Sequence, residues 1–256
     1  QSIEDNLYTI KNLASKKYVK LGAREVQYLL KCLDYQGEDF SFQNIDPLSA
    51  EEEEFMFQKF TEWGFMNEEE VIEEKKDITK IKLCELNPEE LLSKVPKWIQ
   101  NLFSIKGAII ALGLTIVAYY FIFTDTDLVL QAAIDSLKLS VIDFIIFYVM
   151  MISTTMLHEF GHALCCKKNG GKVSSMGLML FFLMPCFFCD VSDIYMFKDR
   201  KKSFGVAVSG IAINYVCGTL GCIAFFLLAA NGIYVPLLLF YYFANLGFVI
   251  FNLIPF

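Results

Sequence analysis

The chain has two histidines, and they stand four residues apart: His158 and His162, in Thr154-Thr155-Met156-Leu157-His158-Glu159-Phe160-Gly161-His162. Four residues is about one turn of an α-helix, so both imidazoles leave one face and can reach the same metal ion. Such a pair is the usual half of a tetrahedral zinc site. Glu159, beside the first histidine, can take a proton from a metal-bound water and return it to a leaving amine. Chance puts two histidines at this spacing in roughly one arrangement in a hundred, before the glutamate is asked for. The plainer reading is a hydrogen-bonded pair of helix histidines.

The element that must carry these residues is unusual for such chemistry. Val141 to Cys166 is apolar nearly throughout, and ionisable groups inside an apolar span are costly enough to point to function. The rest of the chain agrees with a membrane setting. It is 55% hydrophobic with a mean hydropathy of +0.45, and its apolar runs all follow residue 100. Gly107 to Thr124 reads as a first span, Val141 to Cys166 as a second, Phe204 to Ala230 as a third and Val235 to Phe256 as a fourth. Small residues in the third, among them Gly205, Ser209, Gly210, Gly218 and Gly221, favour close helix packing. Asp125 to Lys138 reads as a polar break, and 173–189 as a re-entrant or β-hairpin segment. Basic stretches precede span one, follow span two and precede span three, which places all three, and the N-terminal region, on the cytoplasmic side.

The N-terminal region is soluble and acidic. The formal net charge of -7 comes from it and argues against nucleic-acid partners. Residues 1–66 read as a small α+β domain. Asn6–Ile10 and Lys17–Leu21 form a hairpin, Arg24–Leu33 a helix, and Ser49 with Glu52 a capping box that opens a second helix ending at Gly64. Residues 67–104 read as a charged linker with an interfacial anchor at Trp98, and 105–256 as the membrane core. The eight cysteines form no disulfide pattern and read as small buried thiols. The single Cys186-x-x-Cys189 is the one arrangement that could complete a His2Cys2 site. The chain starts at Gln1, and we expect sequence beyond both ends; no secretory signal is evident.

A metal motif inside an apolar span resembles the site-2 protease family of intramembrane zinc metalloproteases. Phe251-Asn252-Leu253-Ile254-Pro255-Phe256 looks like the start of that family's second motif, an Asn-x-x-Pro followed closely by Leu-Asp-Gly, whose aspartate is the third zinc ligand. The resemblance implies Zn2+ on His158 and His162, a third ligand just beyond Phe256, and Glu159 as general base and then acid. It implies Asn252 as a group that holds substrate or the developing oxyanion. Span four should then pack against the C-terminal half of span two, with Asn252 facing the histidines. Asp190 is the rival third ligand. Pro185 to Asp193 and Val206 to Ile211 resemble the peptide zinc metalloprotease subgroup, found near exporters or maturation enzymes of secreted bacterial peptides. Residues 1–66 resemble a PqqD-like winged-helix module, which binds peptide leader segments at the edge of a three-stranded sheet.

The expected fold is thus an all-α polytopic membrane protein, with about four spans, a re-entrant or β-hairpin segment and a small winged-helix-like domain in front. The expected activity is cleavage of a membrane-associated peptide or protein precursor in a bacterial cell membrane. Ser153, Thr154, Thr155 and the 173–189 segment are candidates for receiving the substrate as an added strand. Two alternatives stand beside it: a site-2 protease in transcriptional signalling, and a non-catalytic membrane component of peptide export or immunity.

Overall fold

The structure, a computed structural model, describes residues 7–12, 18–34, 46–66 and 80–254. It divides into two units, 1–78 and 79–256.

In the first unit, β1 (Leu7–Lys11) and β2 (Tyr18–Gly22) pair antiparallel, with Leu7 opposite Gly22 and Lys11 opposite Tyr18. Helices α1 (Ala23–Cys32) and α2 (Ala50–Glu62) come after them. The Ser49 hydroxyl accepts from the Glu52 N–H, and the Glu52 carboxylate accepts from the Ser49 N–H. These bonds hold the Glu52 carboxyl below its ordinary range. Gly64 closes α2 with φ 76°, a conformation that costs glycine little. The core is Leu21, Val26, Leu29 and Phe60, one face each of strand and helices. The expected hairpin, helix and capping box are all present. Among the described residues this unit has two strands, not three.

The second unit opens with a strand where a linker was expected. β3 (Lys80–Leu86) pairs antiparallel with β4 (Met176–Phe181), which pairs antiparallel with β5 (Met184–Cys189). Lys80, Ile81, Lys82 and Leu83 alternate as a strand should, but their charged flanks read as a solvated linker. The short helices α3 (Glu89–Ser93) and α4 (Lys97–Gln100) come next, so the whole of 80–104 belongs to this unit. The hairpin reading of 173–189 is borne out for 176–189. Its two-residue turn, Phe182-Leu183, has φ 47° and 65°. Two positive φ values suit the twist of a tight hairpin, here at a cost of about 1–2 kcal/mol for each side chain.

Among the described residues four helices are long and apolar enough to cross a membrane: α5 (Ile105–Thr124), α7 (Val141–Lys168), α8 (Arg200–Ala230) and α9 (Pro236–Leu253). Each matches an expected span within a few residues. At about 1.5 Å per residue the 28-residue α7 is ~42 Å long, well beyond a bilayer's apolar thickness. On α5 only Ala118 is buried, while Ile109, Leu112 and Ile116 face outward, the kind of surface a bilayer covers. The expected polar break is instead a helix, α6 (Thr126–Asp135). Its acidic residues disguised an apolar face: Leu128, Val129 and Ala132 pack with Phe225, Phe226 and Leu239.

Helix α8 is the centre of the bundle and touches α5, α7 and α9. Its close approaches are made at glycines. A side chain at Gly218 would strike Asn245 of α9, and one at Gly221 would strike Tyr241. On α7, Gly161 lies against Ile213 and the Ser209 carbonyl of α8. Small residues at these points let backbones approach where polar and dispersion contacts must hold helices together.

A histidine pair between two long apolar helices

Helix α7 carries Thr154, His158 and His162 along one face, four residues apart, and that face meets α8. His158 is buried. The two Nε2 atoms are 3.1 Å apart and the ring planes are 79° to one another. Two nitrogens on a tetrahedral zinc, each about 2.0–2.1 Å from it, are separated by about 3.3 Å. The pair is close to that spacing.

The other ring nitrogens are spoken for. His162 Nδ1 donates to the Val206 carbonyl of α8 at 2.7 Å. A carbonyl only accepts, so the proton sits on Nδ1. His158 Nδ1 lies 3.3 Å from Asn214 Oδ1, again an acceptor. With each Nδ1 facing an acceptor, the two Nε2 atoms are turned toward each other, and the ring tautomers set whether a proton lies between them. Two lone pairs at this distance repel unless a cation or a shared proton lies between them. Gly210 of α8 sits against both rings: an added Cβ would be 2.5 Å from His162 Nε2 and 2.6 Å from His158 Nε2. The donor set and the glycine cradle fit a metal held by two histidines.

Glu159 points elsewhere on α7. It is half-buried and within electrostatic range of the Cys186 and Cys189 thiols of β5, the strand that packs on α7. The site thus has the histidines on the α8 side and a carboxyl on the side of the sheet.

The remaining expected residues lie apart from it. Among the described residues no third His, Cys, Asp or Glu joins the histidines in a metal-binding group, so neither Asp190 nor the pair Cys186 and Cys189 completes the site. Asp190 instead holds a turn. Its Oδ1 accepts from the Ser192 N–H at 3.1 Å and from the Ser192 hydroxyl, and its own N–H donates to the Ser175 carbonyl at 2.8 Å. Asn252 is exposed and donates to the Phe248 carbonyl of its own helix. Phe256, from which the third ligand was expected to continue, lies outside the described residues. The expected docking of span four on the C-terminal half of span two is corrected. The contacts between α9 and α7 fall before the histidines: Phe240 on Phe147, Asn245 on Met151, and Tyr241 hydrogen-bonded to Thr154. The reason is α8, which takes up the histidine face itself. Ser153, Thr154 and Thr155 donate to the carbonyls four residues earlier, so these hydroxyls are already engaged.

Asn214 and the Val206 carbonyl went unread in the sequence. Asn214 had a signal: a buried amide in an apolar helix, four residues after Gly210. A backbone carbonyl has none.

Compared with protein-family models, with curated proteins and with solved structures, the chain matches none.

Proposed function

We propose that this chain is an intramembrane zinc metalloprotease that cleaves a membrane-associated peptide or protein precursor. The observation that carries the reading is the pair of facing Nε2 atoms, 3.1 Å apart on a helix long and apolar enough to span a membrane. His158 and His162 would hold Zn2+, and the third ligand is sought beyond Phe256, as the site-2 protease resemblance implies. Bound zinc supplies a polarised carbonyl and a water acidic enough to attack near neutral pH. Glu159, on the sheet side of α7, would serve there as general base and then acid, as the resemblance implies. The outer edge of β5 lies on the Glu159 side of α7 and suits an extended substrate, since a strand offers backbone groups to an unwound peptide. Asn252 keeps its suggested role only if substrate binding draws it from its own helix.

The basic stretches 94–106, 167–172 and 198–202 favour a cytoplasmic position for the first unit and for the ends of α7 and α8 nearest the histidines. The first unit, read as winged-helix-like, recruits the leader of a precursor. The substrate class favoured by the subgroup resemblance is a secreted bacterial peptide undergoing maturation.

The test is metal analysis of the detergent-purified protein, together with cleavage of a co-expressed precursor. Stoichiometric zinc lost in His158→Ala, with cleavage, is the expected result. Protein without zinc would turn the histidines into a proton-sharing pair. Zinc without cleavage of any precursor would favour a non-catalytic component of peptide export or immunity.

A further inference from the structure

The short helices between β3 and α5 are joined to the end of the histidine helix by one carboxylate. Glu89 stands at the start of α3. One of its oxygens is paired with Lys167 Nζ at the end of α7. The other accepts the Val173 backbone N–H at 3.0 Å. Beneath this clasp Leu92 has no exposed surface and packs among Leu164, Cys165, Cys166 and Val173. Lys168, next along, donates to the Phe103 carbonyl at 2.6 Å. The clasp therefore has apolar packing behind it.

Val173 matters because it leads the chain into the sheet. It opens the run into β4, β4 carries β5, and β5 packs on α7 beside Glu159. Lys167 lies five residues beyond His162, about 8 Å along the helix. Glu89 thus grips the histidine helix with one oxygen and the run into the sheet with the other. Partial burial disfavours its charge, but Lys167, the Val173 N–H and Lys172 outweigh that and hold the carboxyl below its ordinary range. A lowered value means the clasp is present above the ordinary carboxylate range and lost only as pH falls through the lowered one.

We propose that Glu89 is a positioning residue that fixes the β3–β4–β5 sheet against α7, and so sets where a strand on β5 meets the histidines and Glu159. The functional half of this rests on the protease reading; the clasp itself does not. The neighbouring Glu90 supplies the control. Its pair with Lys94, at 2.6 Å, is solvent-exposed and lies within a single turn of chain, so it contributes little.

The experiment compares full-length wild type, Glu89→Ala, Glu89→Gln and Glu90→Ala in nanodiscs, with three readouts: amide exchange of the 169–189 peptides, zinc content, and kcat and KM on a precursor. Glu89→Ala should raise exchange across 173–189 at least tenfold and lower kcat at least tenfold, with zinc content unchanged. Glu89→Gln keeps an acceptor for the Val173 N–H and should recover part of both. Glu90→Ala should match wild type. Unchanged exchange in Glu89→Ala overturns the clasp. Raised exchange with wild-type kcat overturns the positioning role. If wild type itself cleaves nothing, the protease reading falls, while the exchange arm still decides whether Glu89 holds the sheet.

Discussion

Gly210→Ala is the sharpest test of the site because it adds one methyl group at a known place. Built on the backbone, that Cβ falls 2.5 Å from His162 Nε2 and 2.6 Å from both Nε2 and Cδ2 of His158. Carbon and nitrogen touch at about 3.5 Å, so the methyl intrudes by about 1 Å on both rings at once. Neither ring can swing away freely. His162 is held through Nδ1 by Val206, and His158 through Nδ1 by Asn214. Either the Nδ1 bonds break or α8 moves off α7. A shift of 1 Å in a reacting group can cost about a hundredfold in rate, and overpacking typically costs about 1–3 kcal/mol of stability.

Two other glycines separate metal loss from simple crowding. At Gly218 the added Cβ would be 2.8 Å from the Asn245 Cβ, away from the histidines; at Gly113 nothing lies within 4 Å. We expect Gly218→Ala to lower the melting temperature and keep zinc. Gly113→Ala should leave both unchanged or gain slightly from helix propensity, by up to ~1 kcal/mol. Gly210→Ala should lower zinc affinity at least tenfold and abolish detectable cleavage. The assay is zinc retention against a chelator, with thermal melting of the same samples. If Gly210→Ala holds zinc and cleaves like wild type, the two Nε2 atoms are not the place where chemistry happens.

Glu159→Gln should retain zinc and lose cleavage, because the ligands stay while the proton acceptor goes; cleavage at the wild-type rate would remove Glu159 from the mechanism. Asn214→Ala should weaken zinc binding roughly 10- to 100-fold, as loss of a ligand's orienting partner commonly does, and chelator competition reads it directly. Residues 1–66 alone should bind the leader segment of a cognate precursor with micromolar-scale affinity at the β1–β2 hairpin, seen as amide shifts around Tyr18 to Leu21. The absence of shifts with every leader encoded nearby would leave that unit a structural cap.

The helices α1 and α2 and the four long apolar helices were legible in the sequence because periodicity, a capping box or an apolar run marks them. Ser49 with Glu52 opens α2, and an uninterrupted apolar run marks each crossing. The 176–189 hairpin was legible in outline because Gly177 and Pro185 exclude a regular span. What failed were segments whose structure depends on a distant partner. β3 is a strand because β4 pairs with it across roughly ninety residues of chain, and nothing between Lys80 and Leu86 names that partner. α6 is a helix against Phe225 and Leu239, and its acidic residues mask the face that packs there.

The site divides the same way. Spacing alone placed His158 and His162 on one face, since one helix fixes both. It could not say which tautomer they adopt, because that depends on α8, where Val206 contributes only a carbonyl and Asn214 an amide. The spacing alone raised the metal reading; the second helix adds the partners of Nδ1 to it. The histidines supply the nitrogens, but the acceptors on Nδ1 turn those nitrogens toward one point. A chain with the same two histidines and no acceptors on α8 would be free to place a proton on Nε2 and settle as an ordinary hydrogen-bonded pair. The difference between the two outcomes rests on Asn214, the Val206 carbonyl and the space kept open by Gly210.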